Sequence, residues 1–140
     1  MDQREEFIGE AQEIIEGLSR DLLALDGGVR RGEPADPELV NDAFRAVHTL
    51  KGLSGLFGVA RMSTLSHHLE DVLDDLRLGR SVLDPRLLDV MFRAVEVYHQ
   101  ILAALRQGEP EPQRSVEELL MLLDSVVSVE SRTSVDDPVA

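Results

Sequence analysis

Along the first helix-length stretch of the chain, Phe7, Ala11, Ile14, Leu18, Leu22 and Leu25 recur at steps of three or four residues. A strand alternates every second residue, so this spacing is one apolar stripe along a helix of about Asp2 to Asp26. A single amphipathic helix cannot bury its own stripe, and the rest of the chain supplies partners. Gly27-Gly28 and the stretch to Pro34 predict the end of the first helix. Asp36-Pro37, an N-cap followed by proline at the first helical position, predicts a second helix running to about Phe57, with Gly58 as its stop. A third is expected to start between Val59 and Ser63 and to end near Gly79, with Met62, Leu65, Leu69, Val72, Leu73 and Leu76 as its stripe. Asp84-Pro85 repeats the start signal for a fourth, which carries Leu88, Met91, Val95, Tyr98, Leu102 and Leu105 and stops at Gly108. Ser115 and Glu118 have the spacing of a capping box and predict a fifth helix that fades near Val127.

Short connections place consecutive helices antiparallel. The expected fold is all-α: an antiparallel up-down four-helix bundle over residues 1–127, with an additional, shorter C-terminal fifth helix. Residues 128–140, rich in Ser, Asp and Val, are expected to be a flexible tail or the start of an interdomain linker. The 140 residues allow one compact domain, and the low aromatic content of 4%, with Leu, Val and Ala dominant, suits helix packing. The net charge of −13 argues against nucleic acid and against an anionic membrane surface as partners. No apolar run approaches the ~20 residues needed to span a bilayer, and the acidic start does not resemble a secretory signal. Cysteine is absent, which removes disulfides and thiolate metal sites and fits a cytoplasmic setting.

Four histidines are available for chemistry: His48, His67, His68 and His99. On a wheel at ~100° per residue, Leu39, Ala43, Ala46, Val47, Leu50, Leu53 and Phe57 lie opposite His48. Phe44, Arg45, Lys51, Gly52 and Gly55 lie within about 60° of it. His48 therefore projects from mid-helix, away from the core stripe. Gly52 and Gly55 each cost roughly 1 kcal/mol relative to alanine in a helix. Either they leave a bare strip on which another protein approaches the imidazole, or they loosen the helix end or admit a neighbouring helix. Lys51 is the only lysine among 14 basic residues, one turn from His48 on the same face, and its compact ammonium suits phosphoryl oxygens. An ordinary exposed lysine is the plainer alternative.

The third helix gathers Glu70, Asp71 and Asp74 on the side of His67. A carboxylate there, Glu70 in particular, can accept a hydrogen bond from His48 Nδ1–H and leave Nε2 as the nucleophile. A solvated acidic face is the alternative. Adjacent His67 and His68 diverge by ~100° and cannot chelate one ion together, and no H-E-x-x-H or paired Glu-x-x-His motif occurs, so no metal centre is expected. His68 is read as a surface residue at the edge of the site, and His99, beside Tyr98 near the end of the fourth helix, as having no chemical role.

The segment from Phe44 to Gly58, FRAVHTLKGLSGLFG, resembles the phosphoacceptor helix of histidine phosphotransfer domains, with its H-x-x-K-G motif. The segment from Ser66 to Gly79, SHHLEDVLDDLRLG, resembles the next helix in the N-terminal phosphotransfer domain of CheA-type chemotaxis kinases, where an H-x-x-E pattern matches His67 and Glu70. The resemblance implies that His48 is the phosphoacceptor, that Lys51 assists the phosphoryl group electrostatically, and that Glu70 orients His48 within a hydrogen-bonding cluster that includes His67. It also implies a docking surface around Gly52, with Gly55 and Arg45 beside it. Leu53 departs from the family, which usually has a small residue there, and the wheel turns it toward the core edge. On this reading the domain is a phosphorelay element of a two-component system and not an enzyme by itself. It holds no cofactor. ATP and Mg²⁺ belong to a kinase domain, expected in the same polypeptide, and a response-regulator receiver domain takes the phosphoryl group onto its aspartate. The isolated domain is expected to be a monomer. The rival class is a helical adaptor with no use for His48.

Overall fold

In the computed structural model, which describes residues 2–135 and their side chains through residue 126, three aspartates open helices as their sequence positions require. Asp2 accepts from the Glu5 amide at 2.8 Å and opens α1 (Gln3–Arg30). Asp36 accepts from the Glu38 amide at 2.9 Å and opens α2 (Pro37–Leu56), while Asp84 accepts from the Leu87 amide at 2.8 Å and opens α4 (Pro85–Arg106). Each bond satisfies one of the free amides of a first turn. The remaining helices are α3 (Ala60–Arg77) and α5 (Gln113–Val135).

α3 lacks such a cap, because Val59 precedes it and offers no side-chain acceptor. Its first turn is satisfied from a distance. The Glu111 carboxylate, in the connection after α4, accepts from the amides of Arg61 and Met62, with Oε1 at 3.1 Å from both. Gly32, Gly58, Gly79 and Gly108 follow α1 to α4 in the left-handed region, with φ between +69° and +79°, where a side chain would be strained.

Two predicted boundaries are corrected. Gly27-Gly28 does not end α1, which continues to Arg30. A helix tolerates two glycines at a modest cost, and here Arg30 Nε bonds both carboxylate oxygens of Asp26, at 2.8 and 3.0 Å, bracing the turn that contains them. The fifth helix is not the short one. It spans 23 residues against 18 for α3, begins before Ser115 and continues past Val127 to Val135. The capping box does not form, because Glu118 pairs with Arg114 at 3.1 Å and Glu117 with Gln113 at 3.0 Å, one turn earlier. No Gly or Pro lies between Ser115 and Asp137 to stop it. Residues 136–140 of the expected tail lie outside the described residues.

The chain is an antiparallel helical bundle. α1 lies between α2 and α4, α2 packs on α3, and α5 lies against both α4 and α3. The core is aliphatic: Ile15, Leu22, Leu50, Leu65, Leu88 and Ile101 are almost fully enclosed. Ile15 rather than Ile14 takes the central position on α1; Ile14 packs at the edge. Among the described residues the buried polar side chains are Ser54 and Ser66. Ser54 donates to the Leu50 carbonyl at 2.6 Å, and Ser66 pairs with the enclosed Tyr98 hydroxyl at 2.7 Å, joining α3 to α4. Burial first, only partly offset by the Ser66 bond, pushes the Tyr98 phenol well above its ordinary range, so it stays a neutral hydrogen-bonding group.

Candidate functional site

α2 buries Val40, Ala43, Val47, Leu50 and Ser54, and this face decides where His48 goes. The imidazole stands on the opposite side with 61% of its side chain exposed, as the wheel predicts. Leu53 sits at the core edge.

Across the groove between α2 and α3, His48 Nδ1 meets Glu70 Oε1 at 3.2 Å. Lys51 Nζ lies 2.7 Å from the other oxygen, Oε2. Oε2 is buried, and the Lys51 ammonium is the group that faces it. Glu70 is the most enclosed of the three, with 17% exposure. Burial alone would raise its pKa, but the Lys51 ammonium and the His48 imidazole together outweigh it and hold the carboxyl below its ordinary value. An ionised carboxylate only accepts hydrogen bonds, so the proton between Oε1 and Nδ1 belongs to the imidazole. In the neutral ring the lone pair then resides on Nε2, which makes no hydrogen bond among the described residues.

Both glycines sit in helical conformation on the exposed face. A methyl group added at Gly52 would meet nothing within 4 Å, and at Gly55 it would touch only Ser63 Oγ at 3.9 Å, an ordinary contact. Neither position requires glycine for packing α3, and α2 runs unbroken past Gly52. The tight-packing explanation is therefore removed. Arg45 is exposed nearby and pairs loosely with Asp42 at 3.9 Å.

His67 is not brought into the cluster. Its Nε2 lies 3.9 Å from Asp71 Oδ2, one turn along α3, and it makes no hydrogen bond to His48 or Glu70. Its ring and that of His68 meet nearly edge-on, at 76°, with centroids 6.0 Å apart. His68 Nδ1 lies 3.2 Å from the Thr64 carbonyl on its own helix.

Two groups beside His48 were not singled out as site residues. Phe44, one turn before it, stacks nearly parallel, with centroids 6.1 Å apart and 16° between planes. The Arg77 guanidinium, from the end of α3, lies 4.4 Å from the Phe44 ring centre. The step of four from Phe44 to His48 was legible on the wheel; the approach of Arg77 depends on how two helices cross.

The model of the Hpt domain family matches residues 2–128. The chain belongs to the Hpt domain family. Its bundle superposes on a structure described as "Solution Structure of Histidine Phosphotransfer Domain of CheA" with a TM-score of 0.73 and 31% identity, covering 88% of this chain and 87% of that one. The sensor histidine kinase CheAY of Helicobacter pylori is 30% identical over 89% of this chain. The chemotaxis protein CheA of Bacillus subtilis is 34% identical over 84%. This Hpt domain spans only 15% and 17% of those two relatives, which are much longer proteins. Among the described residues of the Hpt domain, no helix is long and apolar enough to cross a membrane.

Proposed function

We propose that His48 is the phosphoacceptor of this Hpt domain, within a CheA-type signalling kinase. The observation that carries the proposal is the Glu70–His48 contact: it favours the proton on Nδ1 and so the lone pair on Nε2 of an exposed imidazole. In the first step that lone pair attacks the γ-phosphorus of ATP held with Mg²⁺ by a kinase domain. The N–P bond forms and the bond to the departing ADP oxygen breaks. The positive charge gained by the imidazole is met by the Glu70 carboxylate at Nδ1–H. Phosphoryl transfer depends mainly on positioning and charge stabilisation, and this is what the cluster offers. In the second step a receiver-domain aspartate attacks phosphorus, the N–P bond breaks, and its electron pair returns to Nε2.

Lys51, already turned toward Glu70, is placed to shift toward phosphoryl oxygens once they arrive one turn away. Gly52 and Gly55 keep the approach open, with Arg45 beside them. His67 has no direct part in orienting His48, because its contact is with Asp71. The names and lengths of the relatives support a kinase domain in the same polypeptide, and membership of the Hpt family is consistent with a response-regulator receiver domain as the second partner.

The test uses this chain, the kinase domain of a CheA-type protein and labelled ATP. Acid-labile, alkali-stable label is expected on the wild type and none on His48→Gln. Labelling of the wild type with ATP alone, or undiminished label on His48→Gln, would overturn the assignment.

A further inference from the structure

We propose that Phe44 is a positioning residue for the His48 imidazole, held in place by Arg77; the proposal rests on His48 being the phosphoacceptor. The hydrogen bond to Glu70 fixes where Nδ1 points but leaves the ring free to tilt about that bond. Torsions of this sp³–sp² kind have broad minima, and a ring with 61% exposure has few neighbours to restrain it. Phe44 supplies a restraint on the face. Its ring lies near-parallel at 6.1 Å, within the range of offset aromatic pairs, and one helical turn away.

Phe44 has the same torsional freedom, so it needs a restraint of its own. Phe44 is partly buried against the core, and Arg77 lies over its ring at 4.4 Å, a cation–π contact. Arg77 in turn is aimed by Asp74, whose Oδ1 accepts from Nη2 at 2.6 Å and from Nε at 3.2 Å. α3 thus reaches His48 by two routes: Glu70 holds the edge of the imidazole, and the Asp74–Arg77–Phe44 stack holds its plane. Together they set the direction of the Nε2 lone pair, on which an in-line displacement depends.

The experiment compares Phe44→Leu, Phe44→Tyr and Arg77→Gln by two readouts. The first is the nuclear-relaxation order parameter of the His48 ring in the free domain, which needs no kinase. It is expected to fall in Phe44→Leu and Arg77→Gln and to be retained in Phe44→Tyr. The second is labelling kinetics with a CheA-type kinase domain. Phe44→Leu is expected to lower kcat about tenfold, and Arg77→Gln to lower it less, while KM stays within about twofold and Phe44→Tyr restores the rate. Arg77 is exposed, so its variant separates the effect from any loss of folding at Phe44. An unchanged order parameter in both Phe44→Leu and Arg77→Gln would overturn the proposal. So would a kcat untouched while the ring loosens, or a rise in KM alone, which marks a docking contact instead. Absence of label on the wild type would defeat the phosphoacceptor reading, and the order parameter would still decide whether the stack restrains the ring.

Discussion

Glu70 is the residue on which the site's electrostatics turn, because it alone touches both the imidazole and the ammonium. Its folded-state pKa lies below the ordinary 4.5. A depressed carboxyl pKa stabilises the fold above the unfolded value, and that stabilisation is lost as pH falls through the folded value. Glu70→Gln should therefore be less stable than the wild type in urea at about pH 7, and the gap should close well below about pH 4. A gap of equal size at both pH values would show that the charge contributes nothing. The pairing of His48 with Glu70 was legible in sequence because each lies on the polar side of a helix whose core stripe is unambiguous. The exclusion of His67 was not. Asp71, one turn further along α3, claims it, and sequence spacing does not reveal which of two nearby carboxylates a histidine takes. Arg77 escaped for a different reason: its reach to Phe44 crosses between helices and follows from their packing, not from any period along the chain.

At the scale of the helix, the aspartate caps mark the starts of α2 and α4, the Ser115–Glu118 spacing places that of α5 two residues late, and that of α3 falls at Ala60, inside a window the sequence does not narrow. Asp36-Pro37 and Asp84-Pro85 bracket α2 and α4 within a residue, since cap and helix are adjacent in sequence. The sequence marks the start of α3 only to a window from Val59 to Ser63, because nothing nearby accepts its first amides. The acceptor is Glu111, some fifty residues on, held between Pro110 and Pro112. A carboxylate there also complements the positive end of the helix. Glu111→Ala should cost about 1 kcal/mol in urea unfolding, as for the loss of an N-cap. Amide exchange at Arg61 and Met62 should quicken in the same variant. Unaltered exchange at those two amides would show that water replaces the carboxylate at no cost. The overrun of α1 through Gly27-Gly28 and of α5 past Val127 share one cause. A glycine or a change in polarity weakens a helix by a small amount per residue, whereas stopping one requires a backbone turn, supplied after α1 by Gly32.

For the whole molecule the open question is what α5 contributes. The expected fold is a four-helix bundle with an additional, shorter fifth helix, which by itself does not say what that helix packs on. α5 lies against both α3 and α4 and buries Val116, Leu119, Leu123 and Val126. Leu120 and Leu123 line one groove with His68 and Val72 of α3, so removing the helix opens apolar surface on the far side of α3 from the site. Uncovering even one Val- or Leu-sized side chain costs about 1.5–3 kcal/mol, which for a domain of this size lowers the melting temperature on the order of 10 °C. A chain ending after residue 112 keeps Glu111 on α3 and isolates this effect; one ending after residue 127 keeps the four buried side chains and should melt with the full chain. The groups argued to perform the chemistry come from α2 and α3 alone. The shorter chain, held below its own melting temperature, should therefore accept label on His48 within about twofold of the full-length rate, as expected when stability and chemistry reside in separate contacts. Equal melting of all three chains would show that α5 adds nothing to the stability of the bundle. A loss of labelling in the still-folded short chain would show instead that α5 sets the angle at which α3 presents Glu70 to His48.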